Sequence, residues 1–397
     1  MRTIVSLFVV VLLGALILCS CSDYKPVQDS DVVLIPVDID RDLEVSMDQI
    51  FDSIRIVRLE GGRESNISRG KDFKVVNNRY YIRDQGCIFV FDGNGRFISN
   101  SKNRRGRGPN EYFAANDFFV EDDQINILDW AGRVLKYDSL FNFTGDFYLP
   151  REVEGAFVEI EKIDDDRYLV VATGAEKDSF VWHIYSKSRN EIVNTRKGLV
   201  AIKMPRFGTV SRYQLSGGKL YHRCQDLRNS LYEIDLQTLS AREAFRYDFG
   251  HYNFKYTENS SDMLEISSYI GRNLSRYAFL SESWMNDKYL ISRVVHDNNR
   301  KATKLSIVSL DGKDQIFVNS EFKGGKVIPG LDYVDDGVIY SIINSYYDYL
   351  SNIIADDGLL DETSRRILSD LSDDTNAIII KYYLKDNLMF PVPGHES

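Results

Sequence analysis

Apolar and polar residues alternate in short runs along most of this chain, and several runs share an ending. Residues 88–92, 134–138, 231–235 and 307–311 each close on an aspartate: Asp92, Asp138, Asp235 and Asp311. A period of two predicts strands, and Asp92-Gly93-Asn94-Gly95 and Asp311-Gly312 predict the hairpin turns that follow them. A second strand is predicted just before each of these, at 79–84, 124–129, 167–171, 219–222, 288–292 and 337–341. Each is entered through a polar or glycine-bearing turn, among them Asn77-Asn78, Asp122-Asp123, Gly217-Gly218 and Asp335-Asp336. These acidic pairs read as turn formers, since they lack the alternating carboxylates and distal glutamate of a calcium loop.

The spacing of the closing aspartates sets the architecture. Asp92 to Asp138 is 46 residues, and Asp138 to Asp235 is 97, with a degenerate copy at 182–186 between them. Asp235 to Asp311 is 76 and Asp311 to Asp386 is 75, each one period plus an excess. The excess falls at 252–277, where Asp262 and Glu265 read as an N-cap pair before helical spacing, and at 345–371, which reads as two short helices. Six copies of about 48 residues, each with about four strands, predict an all-β six-bladed β-propeller with two short helical insertions. Residues 54–59 form a strand candidate outside the six copies, placed to pair with 377–383 and shut the ring from the N-terminal side, which removes exposed sheet edges. Ser46 to Gln49 resembles a capping box stapled by Val45 and Ile50, predicting a short helix ahead of that strand.

The N-terminus carries a different signal. Arg2 precedes an uncharged apolar run from Ile4 to about Ser20, the pattern of a secretory signal. Leu18-Cys19-Ser20-Cys21 resembles the bacterial lipobox, with Ser20 as the small residue and Cys21 as the lipidated cysteine. The expected division is a signal peptide over 1–20, a polar tether over 21–35 and the propeller over 36–390. The expected location is the outer membrane, through the N-terminal lipid, with the leaflet open. Of the remaining cysteines, Cys87 and Cys224 have no ligand-spaced neighbours; they read as small buried hydrophobes, and whether they pair is left open.

The chain has 397 residues and a formal charge of −10, with 59 acidic against 49 basic side chains. Such a balance disfavours nucleic acid as a partner. No nucleophile elbow, phosphate loop, dinucleotide fingerprint or zinc-protease motif is present, so no reaction and no cofactor is implied, and the scattered histidines predict no metal site.

The segment 48–60, the loop Gly106-Arg107-Gly108-Pro109-Asn110-Glu111-Tyr112, Ile127 to Asp129 and Asp374-Thr375-Asn376 together resemble the six-bladed β-propeller lipoproteins of gut Bacteroidetes, and more distantly NHL-type propellers. The resemblance spans about 30–386, departs from the family pattern at Asn110, where glycine is common, and implies fold and envelope location more than activity. The loop around Arg105, Arg107, Asn110, Glu111 and Tyr112 is the strongest binding candidate. Its cations suit a carboxylate or sulfate, as on an acidic glycan, with Tyr112 stacking on a sugar. The competing reading is structural, with the glycines shaping an interblade connection and Glu111 pairing Arg105 or Arg107.

Arg83 with Asp84, and Asp129 with Trp130, occupy equivalent strand ends of consecutive blades and are expected at one mouth of the channel. His222 alternates with Cys224 on one strand face, with Asp226 beyond. The leading expectation is a monomeric binding or protein-interaction scaffold, with a glycan or an envelope protein as ligand. The alternative is a propeller enzyme, a glycan lyase or hydrolase, working through Arg83, Asp84, Asp129 and His222. A third reading makes the two helical insertions docking elements.

Overall fold

The computed structural model describes residues 31–41, 44–68, 70, 72–150, 155–174, 180–199, 213–223, 227–254, 263–296, 303–319, 321–343, 358–372 and 374–390. The propeller lies within the unit Val33–Ser397. It opens with β1 (Val33–Pro36), the single-turn helix α1 (Met47–Ile50) and β2 (Phe51–Arg58). Blade 1 is β3 (Asp72–Val76), β4 (Arg79–Asp84), β5 (Cys87–Asp92) and β6 (Phe97–Asn100). Blade 2 is β7 (Ala115–Glu121), β8 (Gln124–Asp129), β9 (Arg133–Tyr137) and β10 (Phe143–Tyr148). Blade 3 is β11 (Phe157–Lys162), β12 (Arg167–Thr173), β13 (Phe180–Ser186) and β14 (Glu191–Lys197). Blade 4 is β15 (Tyr213–Ser216), β16 (Lys219–Arg223), β17 (Ser230–Ile234) and β18 (Ala241–Asp248), followed by helix α2 (Met263–Arg272). Blade 5 is β19 (Ala278–Met285), β20 (Tyr289–His296), β21 (Thr303–Ser309) and β22 (Gln315–Val318). A small ribbon, β23 (Glu321–Phe322) and β24 (Lys326–Val327), leads to blade 6: β25 (Tyr333–Asp335), β26 (Val338–Ile343), helix α3 (Glu362–Ser369) and β27 (Ile378–Leu384).

The six sheets stand in a ring, and blade 6 is completed by β2, in the order β2-β27-β26-β25. The closing strand therefore pairs as the alternation predicts, from Phe51 opposite Leu384 to Arg58 opposite Ile378. Its Phe51, Ile54 and Ile56 are buried against the last blade. Helix α1 forms where the capping box predicts, the Ser46 N–H donating to Gln49 Oε1 at 2.8 Å.

The recurrent aspartates have a local cause. Asp92 Oδ1 accepts the N–H groups of Asn94 and Arg96, Asp138 Oδ1 those of Leu140 and Asn142, Asp235 Oδ1 those of Gln237 and Thr238, and Asp311 Oδ1 that of Lys313. Each is an Asx turn between third and fourth strands. The bonds favour the ionised form. Donors from Thr238 hold Asp235 below the usual carboxylate range, and those from Lys313 and Ser309 bring Asp311 down to about 2. The turns between first and second strands use another device: Asn77 and Asn78, and Asp122 and Asp123, all have φ between 49° and 58°, the left-handed pair that a tight hairpin requires.

Two features differ from the sequence reading. The tether was expected to run to residue 35, yet Val33–Pro36 is a strand, added in parallel to β18 as a fifth member of blade 4. Four residues without a turn signal carry no period that would announce this. Of the two helices expected in 345–371, α3 is present, its N-cap Asp361 accepting from Ser364 N at 2.7 Å; the first falls outside the described residues, as does Asp262 ahead of α2.

Truncating the closing strand's most enclosed side chain should be costly. Ile54→Ala is expected to lower unfolding free energy by about 2–5 kcal/mol, read as a lower urea midpoint. A change below about 1 kcal/mol would mean that β2 is not part of the cooperative core.

Candidate functional site

In a meander of four strands the first-to-second and third-to-fourth turns share one face of the ring. The second-to-third turns and the interblade connections share the other. The sequence candidates among the described residues lie at or near that second face, Arg83 and His222 at equivalent positions opposite the first residues of their inner strands.

The loop from Ser101 to Ala114 connects blade 1 to blade 2. Tyr112 is fully buried there, its hydroxyl 2.6 Å from Ser101 Oγ and donating to Gly86 O at 3.2 Å. The ring packs with Ile88, Phe118 and Tyr137, so the sugar-stacking role expected of it does not fit its placement. Burial raises its hydroxyl pKa well above the ordinary tyrosine range.

The Glu111 carboxylate accepts the Gly108 N–H at 2.8 Å instead of pairing an arginine. A Cβ on Gly106 would stand 2.0 Å from that carboxylate, so any larger residue there would have to displace the Glu111 side chain. The Asn110 carbonyl accepts the Tyr137 hydroxyl at 3.0 Å, tying the loop to blade 2. Asn110, Glu111 and Tyr112 thus build the loop.

Of the loop's cations, Lys102 lies 3.7 Å from Glu64 Oε2, while the arginines engage carbonyls and a ring. Arg104 Nε donates to Phe141 O at 2.6 Å, Arg105 donates to Gln85 O at 3.0 Å, and Arg107 lies 5.1 Å over the Phe113 ring. None of the three has a carboxylate partner among the described residues. Arg105 and Lys102 line a cleft of about 640 Å³ between blades 1 and 6, together with Asn66, Ser68, Gln85 and Asn376. Phe89 forms part of its wall, with Lys102 Nζ 5.3 Å from the ring centre.

Asp84 and Asp129 do the same job in consecutive blades. Asp84 accepts the N–H groups of Ser68 at 2.8 Å and Gly70 at 3.3 Å, and Asp129 accepts that of Phe113 at 3.0 Å. Each fastens the loop entering the inner strand of its own blade. Neither lines the channel, contrary to the expectation of a shared mouth. Trp130, beside Asp129, is 55% exposed. His222 is buried behind the channel wall, stacked on Tyr213 at 4.2 Å with Trp182 edge-on at 5.8 Å. Cys87 is free and buried, and Cys21, Cys224 and Asp226 fall outside the described residues. The four residues named for an enzyme are therefore not brought to one cavity.

Arg83 alone of that set faces the channel, ion-paired to Asp72 and donating to the carbonyls of Ala115, at 2.6 Å, and Asn116. The channel cavity, about 280 Å³, is lined from all six inner strands and holds Lys74, Asp117, Glu159 and Glu161. The expected site residues did not include this cluster, because the repeat is marked by second and third strands, while the inner strands mix charged residues among apolar ones. Their alternation of charged and apolar residues, as in Glu159, Ile160 and Glu161, was the available signal.

Enclosure pulls the Lys74 ammonium down, but Asp117, Glu161, Asp72 and Glu159 outweigh it and hold it above the usual lysine range. Burial pushes Glu161 up to about 7; Lys74 opposes this and the Asp117 charge adds to it. Asp117 is raised likewise, by burial, although Lys74 and the Ile160 N–H, which donates at 2.9 Å, oppose the shift. Among the described residues no three His, Cys, Asp or Glu side chains converge to hold a metal ion. Among them, too, no helix is long and apolar enough to cross a membrane.

A family model described as "Domain of unknown function (DUF4934)" matches residues 31–383. No curated protein matches the chain. Among solved structures, a Bacteroides fragilis protein named for its inferred export is 14% identical with a TM-score of 0.64, covering 89% of this chain and 100% of its own. At that identity the likeness is one of fold. A member of the DUF4221 family from Bacteroides vulgatus is 11% identical with a TM-score of 0.49, covering 87% of this chain and 99% of its own. BamB from Moraxella catarrhalis is 12% identical with a TM-score of 0.39, covering 86% and 98%.

A carboxyl whose folded pKa lies above its unfolded value binds more protons when folded. Glu161 therefore favours the folded state below about pH 4.5, loses that advantage as pH rises toward 7, and is a constant liability above it. Relative to wild type, Glu161→Gln should gain stability between pH 5 and pH 7.5 in urea titrations. A difference independent of pH would show that Glu161 ionises like a surface carboxylate.

Proposed function

We propose that this chain, which belongs to the DUF4934 family, is a cell-envelope binding scaffold. On this reading it is anchored in the outer membrane by lipid on Cys21 and takes an anionic ligand on the face of its interblade loops. The observation that carries the proposal is the set of arginines in the loop 101–114 that have no carboxylate partner among the described residues. Arginines within a few residues of one another, without carboxylate partners among the described residues, remain available to a partner's anions, and Arg105 does so inside a polar cleft. The cleft walls also carry amides and hydroxyls from Asn66, Ser68, Gln85, Thr375 and Asn376, beside the carboxylates of Asp374 and of Asp84, the latter bonded to the Ser68 and Gly70 N–H groups. Such a lining suits the hydroxyls and carboxylate or sulfate of an acidic sugar.

The six-bladed fold, likeness in fold to a Bacteroides protein named for export, and the lipobox-like Leu18-Cys19-Ser20-Cys21 support placement outside the cytoplasm. The scaffold reading is favoured over a catalytic one because Asp84 and Asp129 are committed to loop backbone and His222 is enclosed by aromatic rings.

Two measurements test this. Cells expressing the Cys21→Ser variant should lose incorporation of labelled palmitate into the protein, and labelling that persists would refute the anchor. In calorimetric titration against uronate and sulfated sugars, Arg105→Ala should weaken binding about tenfold or more, as expected for losing one charge-assisted contact. Binding unchanged by that substitution would remove the cleft from the site.

A further inference from the structure

We infer that Phe113, Trp130 and Tyr148 form an aromatic shelf on blade 2 that carries successive sugar rings of an acidic glycan. The inference rests on the reading that the interblade face takes the ligand, and it names that ligand as an oligosaccharide chain longer than the cleft alone would hold.

These three side chains are 50%, 55% and 56% exposed, in a protein whose other large aromatics are mostly buried. Single exposed apolar residues are ordinary, but a contiguous and anchored group marks an interaction surface. The three residues stand on backbone segments that adjoin one another. Asp129 accepts the Phe113 N–H at 3.0 Å and is followed directly by Trp130. Two residues further on, Gly132 O accepts the N–H of Leu149, which follows Tyr148, at 2.8 Å. The shelf therefore runs outward from the inner-strand entry at Phe113, over the β8–β9 turn at Trp130, to the outer strand at Tyr148.

The group is anchored by cations. Arg107 lies 5.1 Å over the Phe113 ring, and Arg133 lies 5.7 Å over the Tyr148 ring. Arg133 also donates to the Pro109 carbonyl and pairs with Asp146 at 2.5 Å, clamping the loop 101–114 to blade 2. Rigid aromatics with two side-chain torsions lose little entropy on binding.

Chemistry selects the occupant. The exposed members of the shelf are all aromatic; of the exposed aliphatic side chains, Leu34, Val193 and Val327 lie outside blade 2 and Leu140 is at the β9–β10 turn, on the blade's opposite face. Ring faces flanked by guanidinium groups match the apolar C–H face of a pyranose whose edge carries carboxylate or sulfate. Arg107 has no carboxylate partner among the described residues, which favours an anionic partner despite the chain's net charge of −10. The same loop offers Arg105 to the cleft on one side and Arg107 to the shelf on the other, so one chain of sugars can engage both.

Calorimetry on the full protein with hyaluronan, oligogalacturonate and heparin hexasaccharides, and with the corresponding disaccharides, tests the inference. At least one hexasaccharide should bind, and Trp130→Ala with Phe113→Ala should weaken it tenfold or more while leaving the disaccharide unaffected. Trp130 is the exposed one of three tryptophans, so binding should also shift intrinsic fluorescence, and Trp130→Phe should abolish the shift. Hexasaccharide affinity unchanged in the double variant overturns the shelf and spares the cleft. Loss in that variant with Arg105→Ala unaffected spares the shelf and overturns the cleft. A wild-type protein that binds none of the three overturns both, and a dimer in light scattering that Trp130→Ala dissolves would assign the shelf to a second copy of the chain instead.

Discussion

Eight residues near the N-terminus, Phe51–Arg58, form the outer edge of a blade whose other strands come from the far end of the chain. Without that pairing β27 would present an open row of backbone donors and acceptors, and Ile54, Ile56 and Phe51 would lie in water. Each such side chain contributes about 1.5–3 kcal/mol when buried. The ring is thus held by contacts some 320 positions apart, from Phe51 to Leu384 and from Arg58 to Ile378. Loop entropy for so distant a closure grows slowly with length, which is why a chain of this size can tolerate it. Closing the ring also sets six inner strands facing one another, so it creates the channel.

A second consequence is a division of labour between the two faces. Turn chemistry at one face consumes carboxylates locally: Asp92, Asp138, Asp235 and Asp311 each satisfy backbone N–H groups of their own turn. At the other face the interblade loop between blades 1 and 2 is braced through Tyr112, Glu111 and Asn110, and its arginines donate to carbonyls or lie over a ring, with no carboxylate partner among the described residues. A net acidic protein can therefore present a cationic surface. The channel is a third environment, where enclosure raises Glu161 and Asp117 and Lys74 opposes that shift without cancelling it.

Much of this architecture is legible in the amino-acid pattern. The aspartate period reveals blade number and strand order because Asx turns depend on residues two to four apart. The helical insertions and the capping box at Ser46 are visible for the same reason. The glycines and arginines of the loop 101–114 mark an interblade connection, but the placement of its individual residues is not legible. Tyr112 reads as an exposed stacking ring until Ser101 and Gly86 are seen to enclose it, and Asp84 and Asp129 read as channel groups until Ser68 and Phe113 are seen to use them. Phe113 and Tyr148 carry no local mark separating them from the buried aromatics around them.

Taken alone, the sequence determined the local geometry: alternation, turns, caps, the strand that closes the ring and the glycine-rich loop. These follow from hydrogen bonds and side-chain periods spanning a few residues, which any window of the chain contains. Tertiary structure alone decided which charges meet and which aromatics stay exposed. Lys74 gains Asp117 and Glu161 from the next two blades, β1 finds β18 across some 210 positions, and Phe113, Trp130 and Tyr148 stay exposed. Exposure and pairing are properties of surfaces from distant segments, and no local pattern encodes where those surfaces touch.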